Sequence, residues 1–468
     1  MKKYSPKADF ASFAFSPAVA EAIAQAGFTQ PTDIQREAIP AILAGRDVLA
    51  RADTGSGKTA AFIWPLLEHL SHRNIYAQES VQKLFNAAER ARANSVQVLI
   101  LVPTRELTIQ IAGVIEQFAQ HIEPALTCMS VYGGVKINPQ MMALRAGVDV
   151  LVATPGRLLD LVGQNAIKFN RIKALVIDEV DRLMKGDFEE EINQIRKLLP
   201  NNRQNLMFSA TFPDSIRPIV RNIMRDPVII DLDETFDQVD IDQHVVKVNH
   251  DQKNDLLAYL LNENDWKQVL IFCSAKRTCD NLVIKMEKRG IATVAMHGNK
   301  RQPEREAALR DFKSGDTRIL IATDVAARGL DIEDLPCVIN FDLPRSPNDY
   351  VHRIGRTARA GQGGQAISMI SHHEYQHFHV IEKRNDIQLP REQVKGFEPD
   401  KQAPPMPTKS GSRKKLKKKN KGKLSKRQRA KAENESKSEP PVVSPTEKKP
   451  VQEPVSDSTN VNTHIWKK

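Results

Sequence analysis

Cysteine is scarce in this chain: only four of 468 residues, at positions 128, 273, 279 and 337. Cys273 and Cys279 are six apart and the other two stand alone, so neither a zinc-ribbon spacing nor a disulfide framework can be drawn. A reducing compartment, and with it a cytoplasmic location, is the expectation. No apolar run reaches the ~18 residues that a membrane-crossing helix needs. The chain opens Met1-Lys2-Lys3, but Asp9 and Glu21 break up the residues after it, so no secretory apolar core is expected. Most of the chain also lacks net charge. The overall balance is +11, yet residues 401–468 alone hold 19 Lys/Arg against 6 Asp/Glu. That local excess exceeds the total, so residues 1–400 carry a small negative balance. The folded part is not a basic protein; it carries a basic tail.

What is present is first of all length. A chain of 468 residues exceeds what one compact core can hold, and two or three units are expected. From about Phe10 to Ile230, short apolar runs alternate with stretches of helical spacing. Val48–Ala50, Val98–Val102, Leu126–Val131, Val150–Ala153, Leu175–Ile177 and Leu206–Phe208 read as strands. Pro17–Ala26, Glu106–Gln120 and Phe188–Leu199 read as helices between them. The pattern restarts with strands at Val269–Cys273, Thr293–Met296, Ile319–Thr323, Cys337–Phe341 and Gln365–Ile370. Helices are expected there at Arg277–Arg289 and Gln302–Lys313. Alternation of this kind implies a parallel sheet covered on both faces. The expected layout is a first α/β lobe over 1–230, a linker over 231–242, a second lobe over 243–395 and a tail over 396–468. Ser71–Ala93 reads as an extra, partly helical connection with no assignable role. After about Lys395 the chain turns to Lys, Pro, Ser and Glu, which cannot bury enough surface to order itself.

Two strings carry chemistry. A-D-T-G-S-G-K-T at Ala52–Thr59 follows an apolar run and precedes an apolar helix-like stretch. That is the strand–turn–helix setting of a phosphate-cradling loop. Gly55 and Gly57 let the backbone close around phosphate oxygens, Lys58 supplies a cation and Thr59 can reach Mg²⁺. The strict pattern wants Gly at position 52, where Ala stands, and a lone G-x-G-K-T is also compatible with an ordinary turn. V-I-D-E-V-D at Val176–Asp181 ends a buried strand with Asp178 and Glu179, a carboxylate pair able to hold Mg²⁺ and activate water. The two strings together indicate a nucleoside triphosphatase.

Further strings follow in order: Phe10 with G-F-T-Q-P-T-D-I-Q at Gly27–Gln35, P-T-R-E-L at Pro103–Leu107 and Gly133-Gly134. Then come T-P-G-R at Thr154–Arg157 and S-A-T at Ser209–Thr211. The second lobe adds L-I-F-C at Leu270–Cys273, Gln302 with Arg305, A-T-D-V-A-A-R-G-L-D at Ala322–Asp331 and H-R-I-G-R-T-A-R at His352–Arg359. Singly most of these are weak, since any turn before a helix can look alike. In this order, across about residues 10–365, the set resembles the DEAD-box RNA helicases of superfamily 2. The name motif is spelled D-E-V-D here, with Val180 for the usual Ala, and Ala358 stands where Gly is common.

The resemblance implies two tandem RecA-like parallel-sheet domains joined by a short linker, followed by a disordered basic tail. It implies ATP and Mg²⁺ as ligands. Ala52, Asp53, Thr54, Gly55, Ser56, Gly57, Lys58 and Thr59 would cradle the phosphates, with Thr59 and Asp178 on the metal. Glu179 would activate water, and Arg356 and Arg359 would reach the γ-phosphate from the second lobe. Gln35 would read the adenine edge, Phe10 its face and Asp331 the ribose. Arg353 reads as a structural ion pair inside the second lobe. Arg105, Gly134, Thr154 and Arg157 on the first lobe and Thr323 on the second would hold RNA phosphates, single-stranded or in a short duplex, with weak sequence preference. Asp181, Ser209 and Thr211 would couple hydrolysis to strand separation. The tail run Lys409–Lys431 has 13 basic residues, no acid and no aromatic ring to stack on bases, and reads as a nonspecific tether to RNA. Ribonucleoprotein or ribosome-assembly partners and a monomeric core fit this reading. The rivals are a DNA-translocating helicase of the same superfamily and an RNA-binding scaffold that does not unwind.

Overall fold

The computed structural model describes residues 9–400 apart from 53–54, 72–93, 124, 185–187, 213–215, 233–240, 328–331, 333 and 358–362. Asp53, Thr54, Asp331, Arg359, most of the 71–93 connection, most of the linker and the basic tail therefore lie outside the described residues. The described residues form one compact unit.

Two seven-stranded sheets organise that unit. The first runs β3 (Cys128–Val131), β4 (Val148–Ala153), β2 (Val96–Leu101), β5 (Ala174–Ile177), β6 (Gln204–Ser209), β1 (Val48–Arg51), β7 (Val228–Asp231). The second runs β10 (Val294–Met296), β11 (Ile319–Thr323), β9 (Val269–Cys273), β12 (Cys337–Asn340), β13 (Gly364–Ile370), β8 (Ile241–Lys247), β14 (Arg391–Glu392). The pairings within them are parallel.

Side-chain alternation explains why both faces are covered. In β2, Val98 and Ile100 enter the core on one side while Leu99 and Leu101 enter the core on the other. β9 repeats this with Val269, Ile271 and Cys273 against Leu270 and Phe272. Near-continuous Val/Ile/Leu runs are what a strand buried on both faces requires. Three helices shape the front of the first lobe: α1 (Pro17–Gln25), α2 (Asp33–Leu43) and α3 (Lys58–Leu70).

The linker proves shorter than sequence implied. Asp231 belongs to β7 and pairs with Arg51, while Ile241 and Asp242 open β8. β7, β8 and β14 all escaped the sequence reading. β7 has only four residues, β14 two, and β8 (I-D-Q-H-V-V-K) mixes polar and apolar positions.

Candidate functional site

The functional strings gather where strands end. β1 delivers the loop Ala52–Gly57, β5 delivers Asp178 and Glu179, and β6 delivers Ser209 and Thr211. β2, β4 and β11 deliver Arg105, Thr154 and Thr323. Ligands of open α/β sheets bind outside the carboxyl ends of the strands, so the carboxyl edges of the two sheets carry the constellation.

Around the phosphate loop, Gly57 is the N-cap of α3 with φ 91°. A Cβ there would also lie 2.5 Å from the Gln35 amide nitrogen, so both conformation and close approach require glycine. Gln35 is buried; its Nε2 donates to Gly57 O at 3.2 Å and its Oε1 accepts from Thr32 N at 3.0 Å. The second bond is half of a capping box that begins α2. Lys58 Nζ lies over the loop and donates to Ala52 O at 2.5 Å.

The carboxylates sit beside it. Asp178 is buried and receives the Glu179 N–H at 2.9 Å. Burial pushes its carboxyl up to about 6, opposed by the nearby Lys58 ammonium. Glu179 has left-handed backbone, φ 51°, in a region that costs a non-glycine residue about 1–3 kcal/mol and recurs at active sites. Its carboxyl is held below the ordinary range. Burial works against this, and the Arg182 guanidinium at 2.6 Å outweighs it with the help of His352 and Arg356 from the second lobe. Arg182 was missed by sequence reading, although its i+3 spacing from Glu179 was a usable signal.

Asp181 is buried and accepts from Ser209 Oγ at 2.8 Å and from Thr211 Oγ1 at 3.1 Å. The S-A-T segment is thereby tied to the segment carrying Glu179.

Arg105 and Gly134 come together. A Cβ on Gly134, at φ 84°, would fall 2.1 Å from the Arg105 guanidinium. Thr154 precedes the helix Pro155–Gly163 and is buried. Arg157, in the same helix, is also buried. Its Nη1 donates to Gln140 Oε1 at 3.0 Å and its Nη2 to Val135 O at 2.9 Å. The guanidinium is thus engaged with protein and braces the loop that carries Gly134. Thr323 is buried at the end of β11.

Arg356 is buried in the second lobe, with its charge felt at Glu179. Arg353 forms a bidentate pair with Asp324 at 2.6 and 2.8 Å, donates to Asn340 Oδ1 at 2.9 Å and stacks over Phe272. It is the structural ion pair that sequence reading anticipated.

One contact between lobes was not anticipated. Glu106, beside Arg105, meets Arg305 of the helix Gln302–Ser314 at 2.7 Å, with both side chains only 6% exposed. The charges are close, but neither Glu106 oxygen receives a well-aligned hydrogen bond.

A family model described as DEAD/DEAH box helicase matches residues 32–219, and one described as helicase conserved C-terminal domain matches 252–361. The ATP-dependent RNA helicase DBP2 of Encephalitozoon cuniculi is 40% identical over 391 residues, which cover 82% of this chain and 74% of that protein. The chain belongs to the DEAD-box family. This DEAD-box protein is also similar to DEAD-box ATP-dependent RNA helicase 14 of Arabidopsis thaliana, at 38% identity over 376 residues. The match covers 80% of this chain and 58% of that relative's length. Among solved structures, Saccharomyces cerevisiae Dbp5 bound to RNA and ADP BeF3 superposes with a TM-score of 0.70 at 27% identity. That match spans 82% of this chain and 95% of the other and carries both RecA-like lobes.

Proposed function

We propose that this DEAD-box protein is an RNA-stimulated ATPase and ATP-dependent RNA helicase. The observation that carries the reading is the split site: Lys58, Asp178 and Glu179 stand on the first lobe, and Arg356 approaches Glu179 from the second. Phosphoryl transfer demands positioning and charge neutralisation more than covalent chemistry, so hydrolysis that needs both halves is hydrolysis that needs closed lobes.

The α3 N-terminus and the loop amides receive the triphosphate, and Lys58 exchanges its bond to Ala52 O for phosphate oxygen. Among the described residues no three His, Cys, Asp or Glu side chains converge into a metal cage. One buried carboxylate, Asp178, and the Thr59 hydroxyl would hold Mg²⁺, which would neutralise charge on the transferring group. Glu179, kept ionised by Arg182, orients and deprotonates the attacking water. Arg356, joined by Arg359, stabilises the charge that develops on the γ-phosphate.

RNA phosphates would lie along Arg105, Gly134, Thr154 and Thr323, with Arg157 bracing the Gly134 loop. Contact to backbone rather than bases implies weak sequence preference. If RNA and ATP both favour closed lobes, each strengthens the other's binding by the same factor. Closing on a strand would then open a short duplex or remodel a ribonucleoprotein. The four cysteines are free thiols, which supports a cytoplasmic protein.

The test is steady-state ATPase without nucleic acid, with single-stranded RNA and with matched DNA. Stimulation by RNA alone is expected. Equal stimulation by DNA would favour the DNA-translocating rival, and no turnover in any condition would favour the scaffold.

A further inference from the structure

Phe10, the ring assigned to the adenine face, does not stand alone. Its ring meets Trp64 edge-on at 5.4 Å between centroids. Trp64 lies in α3, less than two turns after Lys58 and Thr59, and is fully buried. Phe28 and Phe118 also meet its indole edge-on, at 5.0 and 5.7 Å. Phe28, one residue into the segment that leads to Gln35, is a large apolar side chain left 42% exposed. One turn further along the same face of α3, buried Glu68 accepts both Ser16 N at 2.9 Å and Ser16 Oγ at 2.8 Å. The segment Phe10–Ser16 is therefore held on α3 at two points, one by aromatic contact and one by hydrogen bonds to the Glu68 carboxyl. Trp64 Nε1 has no hydrogen-bond partner. A buried indole usually finds one, so the side chain is placed here by its ring contacts alone.

We propose that Trp64 is a positioning residue for nucleotide recognition: from its buried place it sets the plane and depth of Phe10 and backs Phe28, whose exposed ring completes the wall against which a purine base seats. One rigid helix would then index both ends of the nucleotide, phosphates at its N-terminus and base through Trp64. The proposal rests on the adenine-stacking assignment of Phe10. Phe10, held edge-to-face by Phe13 and Trp64, loses little conformational entropy when a base stacks on it, so the benefit appears as ground-state affinity.

The experiment compares RNA-stimulated ATPase of the full chain with Trp64→Leu, Trp64→Phe, Phe10→Ala and the Trp64→Leu/Phe10→Ala pair. Trp64→Leu is expected to raise the KM for ATP about 3- to 10-fold, the change that removal of one aromatic pair amounts to. The kcat at saturating ATP should stay within about twofold, the pattern of lost uniform binding. Trp64→Phe, which keeps a ring, should recover part of the loss. The pair should be no worse than Phe10→Ala alone, because both act through one ring. A second measurement leaves Trp64 in place. With Trp266 and Trp466 changed to Phe, the remaining indole emission should shift on titration with ADP, and fail to shift when Phe10 is Ala. A Trp64→Leu chain with unchanged KM, or indole emission indifferent to ADP, overturns the proposal while leaving the role of Phe10 intact. An unchanged KM in Phe10→Ala overturns the adenine-stacking assignment itself.

Discussion

Glu179 concentrates the demands of the site on one residue. Its backbone is strained, its carboxylate is clamped by Arg182, and the second lobe's charge reaches it. Glu179→Gln keeps the size of the side chain and removes its basicity. Turnover should be abolished while RNA binding that depends on ATP persists, measured by fluorescence anisotropy with and without ATP. Loss of both would instead assign Glu179 to the fold or to the phosphate site. His69 makes a different prediction. Burial pushes its imidazole down to about 4, against a hydrogen bond to Ile42 O at 3.0 Å that favours the proton. The unfolded chain binds that proton near pH 6.5, so stability is full above about 6.5 and falls as pH drops toward 4. His69→Gln retains a donor for Ile42 O and removes the titration. Urea denaturation across this range should show a loss about 3 kcal/mol smaller in the variant than in the parent.

At the scale of elements, the contact between the helices Arg105–Ala119 and Gln302–Ser314 separates folding from closure. Removing one partner of a buried ion pair typically costs about 3–5 kcal/mol, because the other charge stays buried. Here the pair spans two lobes, so opening returns Glu106 to water and the cost falls on the closed state rather than on the fold. Arg305→Met should therefore leave the thermal melt of the chain nearly unchanged. Its ATP-dependent RNA affinity should fall by about tenfold or more, since each 1.4 kcal/mol is a factor of ten. A lowered melting temperature with unaltered coupling between RNA and ATP would make the pair a structural one. Strands and helices with strong periodicity were legible in sequence: β2, β4, β9 and the helix Gln302–Ser314 stand where spacing put them. β7 and β8 were not, because short or mixed segments acquire strand geometry only from the neighbours they pair with.

For the whole molecule, charge is the property that sequence distributes most unevenly. Residues 401–468 hold the positive excess, while residues 1–400 carry a small negative balance. Truncation after residue 400 should weaken RNA binding and flatten its dependence on salt, while basal ATPase is spared. Each phosphate that the missing tail no longer neutralises should reduce the slope of log affinity against log salt by about 0.7 for a single strand. An unchanged slope would remove the tether and leave the run Lys409–Lys431 as a protein-docking or solubilising segment.

Sequence by itself determined the family and the order of the site strings, because each string is a local pattern that carries its own geometry. A glycine turn before a helix presents backbone N–H groups that suit an anion, and a buried strand ending in carboxylates aims them at the sheet edge. Only the tertiary structure decided which side chains answer one another. It placed Arg182 on Glu179, engaged Arg157 with Gln140 and Val135, set Glu106 against Arg305 and put Trp64 behind Phe10. Apart from the first, these are pairs far apart in the chain or uses of a side chain that several partners could claim. Which partner wins depends on the elements that the folded sheets bring within a few ångströms, and spacing along the chain does not carry that information.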